Sequence, residues 1–137
     1  MINRLPNWET ALAEYFKRCE SAPFVWGERD CSLFGADGVL VMTGVDHGAA
    51  FRRKYATARG AKKMLNAHGG VHGIADNALG ARVPATLLHR GDLAAVASGY
   101  GSDALGIVSL CGLYVTAMRE VGTGHVPISE ARHGWRV

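Results

Sequence analysis

The hydrophobic pattern of the chain changes once, close to Pro84. Before that point apolar residues recur at helical spacing, and after it they form short runs separated by glycine-containing turns. A chain in which helices come first and strands follow is typical of the α+β class. Because the 137 residues show no repeat and no linker, we expect one domain that spans residues 1–137.

The helical part begins with a clear amphipathic segment. From Trp8 to Cys19 the apolar residues fall on one stripe, and Asn7 stands at the N-cap position. Shorter helices are predicted over residues 49–56, 61–67 and 71–79, because glycines separate these segments.

A second run begins after Asp30, a typical N-cap residue, and ends at Gly44, a typical helix stop. It is apolar on nearly all sides, so we predict a buried central helix that begins at Cys31. Gly35 and Gly38 destabilise a helix by about 1 kcal/mol each relative to Ala, which indicates that another element packs closely against them.

The second half of the chain predicts an antiparallel sheet that packs on the central helix. Candidate strands cover residues 92–97, 104–111 and 113–118, and a last strand ends at Val137. The connections at residues 98–103 and around Gly112 have the length of hairpin turns.

Composition excludes several classes of protein. The net charge of +3 is too small to indicate nucleic-acid binding by itself. The longest stretch without a charge, residues 104–118, is shorter than the roughly 20 apolar residues of a membrane-spanning helix. The N-terminus has no apolar signal-peptide region, so we expect synthesis in the cytoplasm.

The metal-binding residue types form no recognised motif. The three cysteines, Cys19, Cys31 and Cys111, are an odd number without a Cys-x-x-Cys pair, which argues against a disulfide framework or a zinc ribbon. His68 and His72 have helical zinc-ligand spacing, but two glycines between them break a helix. We therefore expect no metal and no cofactor, while a meeting of the three cysteines around a metal or cluster stays open.

Cys31 is the candidate nucleophile. A thiol in the first turn of a helix lies near unpaired backbone N–H groups, which favour the thiolate. Asp30 is expected to cap and brace the helix. The alternative, that Cys31 is a small buried apolar residue, stays open because free cysteines are among the most buried residue types.

Three motifs around Cys31 resemble, in order, signatures of the NlpC-type cell-wall cysteine peptidases: WGERDCS at 26–32, RGDL at 90–93 and ALGI at 104–107. The resemblance implies a papain-like fold in which Cys31 is the nucleophile at the start of a helix that packs on a small antiparallel sheet. It also places further residues along the candidate site: Trp26, Gly27, Ser32, Asp92, Ala104 and Thr116.

The departure from the family pattern concerns the catalytic base. These peptidases carry a histidine where this chain has Ala104, and the position of their third, orienting polar residue falls near Thr116. A general base contributes about 10²- to 10⁴-fold to the rate, so Cys31 alone would be a poor peptidase. Among the histidines, His125 is the candidate substitute base, because a loop at the sheet edge could fold over the helix start.

A longer pattern, from residue 8 to residue 137, resembles small phage- and prophage-encoded tail proteins related to these peptidases. It includes FVWGERDC at 24–31, TGVD at 43–46 and WRV at 135–137. The resemblance implies a tail-tip or baseplate component, found in the virion tail after assembly, with other tail proteins as partners. The loss of the base favours a degenerate peptidase that serves as a docking module. The alternative is an active cysteine endopeptidase that cleaves peptidoglycan stem peptides.

A basic segment follows the central helix. No acidic residue occurs between Asp46 and Asp76. The segment predicts a docking patch for a partner protein, in preference to nucleic acid, and a solvated basic face remains the alternative. The candidate docking residues are Arg52, Arg53, Lys54, Arg59, Lys62 and Lys63.

Overall fold

The computed structural model describes residues 3–99 and 101–137. This part of the chain forms four helices followed by a five-stranded antiparallel sheet, so the predicted α+β class is confirmed. The helices are α1 (Trp8–Cys19), α2 (Leu33–Thr43), α3 (Ala58–Asn66) and α4 (Gly70–Leu79). The strands are β1 (Leu93–Ala97), β2 (Asp103–Ser109), β3 (Tyr114–Met118), β4 (Thr123–Pro127) and β5 (His133–Trp135).

Local signals set the ends of α2. The Asp30 carboxylate accepts hydrogen bonds from the backbone N–H groups of Ser32 (3.0 Å) and Leu33 (2.9 Å), which are among the donors that a helix start leaves unpaired. Cys31 therefore lies in the turn before α2 and not inside it. At the other end, Gly44 has a φ of 81° and caps the helix as predicted.

Helix α2 packs closely on the sheet through its two glycines. A Cβ atom on Gly35 would lie 2.8 Å from the Cβ of Leu105. A Cβ atom on Gly38 would lie 1.8 Å from the Cδ1 of Ile107. The prediction that another element packs tightly against these glycines is therefore confirmed, and that element is β2.

The sheet has the strand order β4-β3-β2-β1-β5. Its two faces bury different side chains, because successive residues of a strand point to opposite sides. One face packs with the helices into the main core and includes Leu93, Ala95, Leu105, Ile107 and Trp135. The opposite face forms a smaller buried cluster that includes Ala94, Val96, Ala104, Val108 and Cys31.

Several elements differ between the prediction and the structure. Residues 49–56 form turns instead of a helix, since Arg52 is held by two carboxylates and Arg53 adopts a φ of 58°. Helix α3 begins at Ala58, because the Thr57 hydroxyl accepts a hydrogen bond from the N–H of Gly60 (3.0 Å).

The N-cap of α1 and the edge of the sheet also differ from the prediction. Asn7 makes no side-chain capping hydrogen bond. Strand β4 was not predicted, because its glycine and proline are poor strand formers that suit an edge position. The last strand ends at Trp135, two residues before Val137. In the predicted turn at 98–103, Tyr100 lies outside the described residues.

Among the described residues, no helix combines the length and the hydrophobicity needed to cross a membrane.

Candidate functional site

Asp30 is the hydrogen-bonding centre of the region around Cys31. Its side chain is fully buried and accepts four hydrogen bonds. Besides the N–H groups of Ser32 and Leu33, the donors are the N–H of Gly27 (2.9 Å) and the hydroxyl of Tyr55 (2.6 Å). The geometry matches the capping and bracing role that the sequence predicts for Asp30.

The sequence did not indicate Tyr55 as a partner of Asp30. Burial, together with the hydrogen bond to the Asp30 carboxylate, raises the pKa of Tyr55 above its ordinary value, so the phenol remains protonated and donates. Gly27 lets the two segments meet, because it has a φ of 83° and a Cβ there would lie 2.2 Å from the carbonyl oxygen of Tyr55. The loop before Cys31 therefore requires glycine at position 27.

Cys31 lies beside the start of strand β2. Its carbonyl oxygen accepts a hydrogen bond from the N–H of Leu105 (2.8 Å), and its side chain is 4% exposed. The neighbouring residue of β2 is Ala104, which belongs to the same buried cluster. The position that the peptidase pattern assigns to the base therefore carries a methyl group, which can neither accept nor donate a proton.

The Cys31 thiol is protonated at neutral pH. Burial, with a smaller contribution from the nearby Asp30 carboxylate, raises its pKa to about 11, and the Ser32 hydroxyl opposes the shift. The expectation that the helix start favours the thiolate is therefore wrong for this side chain. The N–H groups of Ser32 and Leu33 already donate to the Asp30 carboxylate, so they stabilise that charge and not a thiolate. The negative charge of Asp30 in turn disfavours a negative charge on Cys31.

A surface pocket is lined in part by Cys31, and we call it the Cys31 pocket. Its volume is about 240 Å³. Within the described chain, no carboxylate and no imidazole lines it. The lining residues are Trp26, Cys31, Ala58, Arg59, Ala61, Lys62, Leu65 and Ser102.

His125 is not brought to Cys31. It lies in β4 at the outer edge of the sheet, where its Nδ1 is 3.0 Å from the Oγ1 of Thr116. Strand β4 is two strands away from β2, a lateral separation of about 10 Å at the usual strand spacing. Thr116 is buried, and its hydroxyl lies 2.6 Å from the Oγ of Ser109. The structure therefore separates the predicted substitute base from the thiol, while the hydroxyl of Thr116 bonds to Ser109 and His125.

Asp92 braces the two ends of the chain. Its buried carboxylate accepts hydrogen bonds from Arg4 (3.0 Å), from the N–H of Val137 (3.1 Å) and from the N–H of His89 (2.8 Å). The expected proximity to Cys31 is wrong, because the backbone of Asp92 bonds to Val108, three residues along β2 from Leu105.

The predicted docking patch divides into structural and exposed residues. Arg52 is a half-buried structural residue, since its guanidinium contacts the carboxylates of Asp37 and Asp46. The other five basic residues are exposed. Only Arg59 and Lys62 of this set line the Cys31 pocket, whereas Arg53, Lys54 and Lys63 lie outside it.

A histidine cluster connects α4 to the sheet, and the sequence did not predict it. The Nε2 of His72 lies 2.7 Å from Oδ2 of Asp103, and its Nδ1 lies 2.8 Å from Nε2 of His133. Arg132 donates to the other oxygen of Asp103 at 2.8 Å. No local spacing signals this cluster, because its members come from separate elements.

The described residues contain no group of three or more metal-ligating side chains placed to hold a metal ion. Cys19, Cys31 and Cys111 are free thiols on α1, before α2 and in the turn after β2. His68, the expected neighbour of His72, instead lies with its Nδ1 2.9 Å from the carbonyl of Met64.

Comparison with known proteins identifies a family without an assigned activity. The family described as Domain of unknown function (DUF6950) matches residues 3–137. No curated protein and no solved structure matches the chain significantly. Since the match covers nearly the whole sequence, this chain belongs to the DUF6950 family.

Proposed function

We propose that this protein is a tail-tip or baseplate component of a phage or prophage. In this proposal a papain-like, NlpC-type fold serves as a docking module after the loss of its catalytic base. The protein is made in the bacterial cytoplasm and becomes part of the virion tail, where other tail proteins are its partners.

The order of the elements supports the fold proposal. Cys31 immediately precedes the central helix α2, and its carbonyl is bound by β2. Ala104 lies next to that contact, on the strand that carries the base in the peptidases that the sequence resembles.

The observation that carries the functional proposal is the lack of a general base among the described residues that line the Cys31 pocket. Among the described residues, the lining of the Cys31 pocket contains no imidazole and no carboxylate. Burial raises the pKa of Cys31 to about 11, so only a very small fraction is thiolate at neutral pH. A nucleophilic cysteine normally depends on a nearby base or on a lowered pKa.

The second candidate is an active cysteine endopeptidase that cleaves peptidoglycan stem peptides. One observation favours it: Cys31 is among the residues that line a surface pocket, where a peptide would lie beside it. In this alternative the base comes from a partner protein, since the chain places no described imidazole in the pocket.

A digest of purified cell wall separates the two candidates. The protein, its Cys31→Ala variant and a Cys111→Ala control are incubated with cell wall over a range of pH, and released muropeptides are identified by mass spectrometry. We expect no stem-peptide cleavage by any of the three. Fragments that appear with wild type and with Cys111→Ala, but not with Cys31→Ala, would establish the peptidase.

The docking role is tested in assembled particles. An epitope-tagged copy is expressed during tail assembly, and purified tails are labelled with antibody and imaged by electron microscopy. We expect label at the tail tip. Tails that assemble normally but contain none of the protein would contradict the proposal.

A further inference from the structure

The Cys31 pocket combines positive charge with an apolar wall. Arg59 and Lys62 are three residues apart on α3, so they lie on neighbouring positions of one helix face. Both are exposed, and neither makes an ion pair with any described residue. The rim of the pocket is therefore a pair of unneutralised cations.

Helix α3 adds to this positive potential. The nine-residue helix has no acidic residue in its first turn, and Ala58 and Arg59 of that turn line the pocket. Unpaired N–H groups at a helix N-terminus attract negative charge. The pocket therefore favours an anionic group near Arg59.

The remaining lining is suited to a side chain of a peptide. Trp26, Ala58, Ala61 and Leu65 are apolar, and Ser102 offers a hydroxyl. The volume of about 240 Å³ is below the range of about 300–1,000 Å³ that is typical of complete small-molecule sites. It suits one or two side chains that belong to a larger partner.

We propose that the Cys31 pocket holds an acidic peptide segment of a partner protein. A carboxylate of the segment lies between Arg59 and Lys62, and an adjacent apolar side chain packs against Trp26 and Leu65. This inference rests on the proposed docking function and assigns that function to one site. The bound segment is not cleaved, and no covalent step takes place.

Peptide binding tests the assignment directly. Fluorescence anisotropy is measured with a labelled, N-acetylated peptide of alternating Glu and Leu, and with a control peptide in which Gln replaces Glu. We expect the Glu peptide to bind at least about tenfold more tightly than the Gln peptide, with an affinity that falls as salt increases.

Charge reversal locates the binding site. Arg59→Glu and Lys62→Glu change the pocket, whereas Lys54→Glu and Lys63→Glu change net charge equally outside it. All four residues are exposed, and thermal unfolding confirms that each variant is folded. We expect about a tenfold loss of affinity for the pocket variants and less than about threefold for the controls.

Alkylation provides a second readout. Bound peptide is expected to slow alkylation of Cys31 without slowing that of the exposed Cys111, as resolved by mass spectrometry. Equal losses of affinity in pocket and control variants would overturn the proposal, because binding would then be non-specific. Stronger binding of single-stranded DNA than of the Glu peptide, lost in the same pocket variants, would also overturn it.

The inference and the docking function fail separately. If the pocket variants lose peptide binding but enter tails as wild type does, the pocket does not mediate docking. That result would refute the pocket assignment and leave the tail assignment intact. If peptide binding is confirmed but the protein is missing from purified tails, the tail assignment falls and the pocket assignment stands.

Discussion

At the scale of single residues, the reactivity of Cys31 depends on which group accepts the hydrogen bonds of the backbone N–H groups at the start of α2. Asp30 accepts from Gly27, Ser32 and Leu33, so the carboxylate is stabilised and the thiol beside it is not. A cysteine at a helix start is therefore not reactive by position alone, because an adjacent capping carboxylate competes for the same donors.

Removal of the Asp30 charge is expected to lower the pKa of Cys31. In Asp30→Asn the negative charge that contributes to the raised pKa is lost, while burial, the larger cause, remains. The pH midpoint of Cys31 alkylation, followed by mass spectrometry, should therefore move from about 11 to a lower value. Tyr55→Phe removes one donor but keeps the charge, so it is the matched control and should not lower the midpoint. An unchanged midpoint in Asp30→Asn would mean that burial alone sets the pKa.

At the scale of elements, α2 and β2 determine the geometry of the site. The two glycines let the helix approach the strand until side chains of β2 fill the space over them. The same contact holds the N-terminal end of α2 near Leu105, whose N–H donates a hydrogen bond to the Cys31 carbonyl. Any change that separates helix and strand is therefore expected to move the Cys31 pocket as well.

Gly38→Ala tests this packing. The added methyl would lie 1.8 Å from Cδ1 of Ile107, so we expect a loss of about 1–3 kcal/mol in the free energy of unfolding, measured with urea. Ile107→Val removes the clashing atom. In the double variant the two losses should therefore be less than additive, by about 1 kcal/mol. Strict additivity would show that the clash is relieved in another way.

At the scale of the whole molecule, polar contacts join parts of the chain that are distant in sequence. Arg4 bonds to the carbonyl of Val137 at 3.0 Å and to Asp92, which ties both ends to the sheet. His72 and His133 join α4 to the sheet, where His133 pairs with Ala95 in the middle of β1. The contact between His72 and His133 depends on the protonation state of the two rings, so we expect the free energy of unfolding to depend on pH.

Acid is expected to destabilise the fold through His133. Burial, with smaller contributions from His72 and Arg82, lowers the pKa of His133 below its ordinary value of 6.5, against the nearby Asp76 and Asp103. Above about pH 6.5 the His133 ring is neutral in both the folded and the unfolded chain. Below it the unfolded chain takes up the proton first. The free energy of unfolding should therefore fall as pH drops from 6.5 to the folded pKa, with a slope of at most about 1.4 kcal/mol per pH unit.

Urea unfolding at a series of pH values measures this slope. In His133→Asn the part of the slope that begins near pH 6.5 should disappear, while His125→Gln, a change on the exposed β4 edge, should keep it. Asp103 adds a second loss at lower pH, because hydrogen bonds from Arg132 and His72 outweigh its burial and lower its pKa. An identical slope in wild type and His133→Asn would contradict the assignment.

The sequence by itself determined the features that depend on neighbours along the chain. The α+β order, the first helix, the cap by Asp30 and the stop at Gly44 all follow from local patterns, since the bond from Leu33 to Asp30 spans three residues. The two glycines of α2 also predicted a close contact, although not its partner. These signals are readable because backbone geometry and capping are set within one or two helical turns.

Only the tertiary structure decided the chemistry of the site. Tyr55 reaches Asp30 across 25 residues, and His72 reaches His133 across 61, so no spacing rule could pair them. The protonation of Cys31 and the remote position of His125 likewise depend on burial and on strand order. Burial, neighbouring charge and hydrogen bonding set a pKa, and all three arise when distant segments pack together.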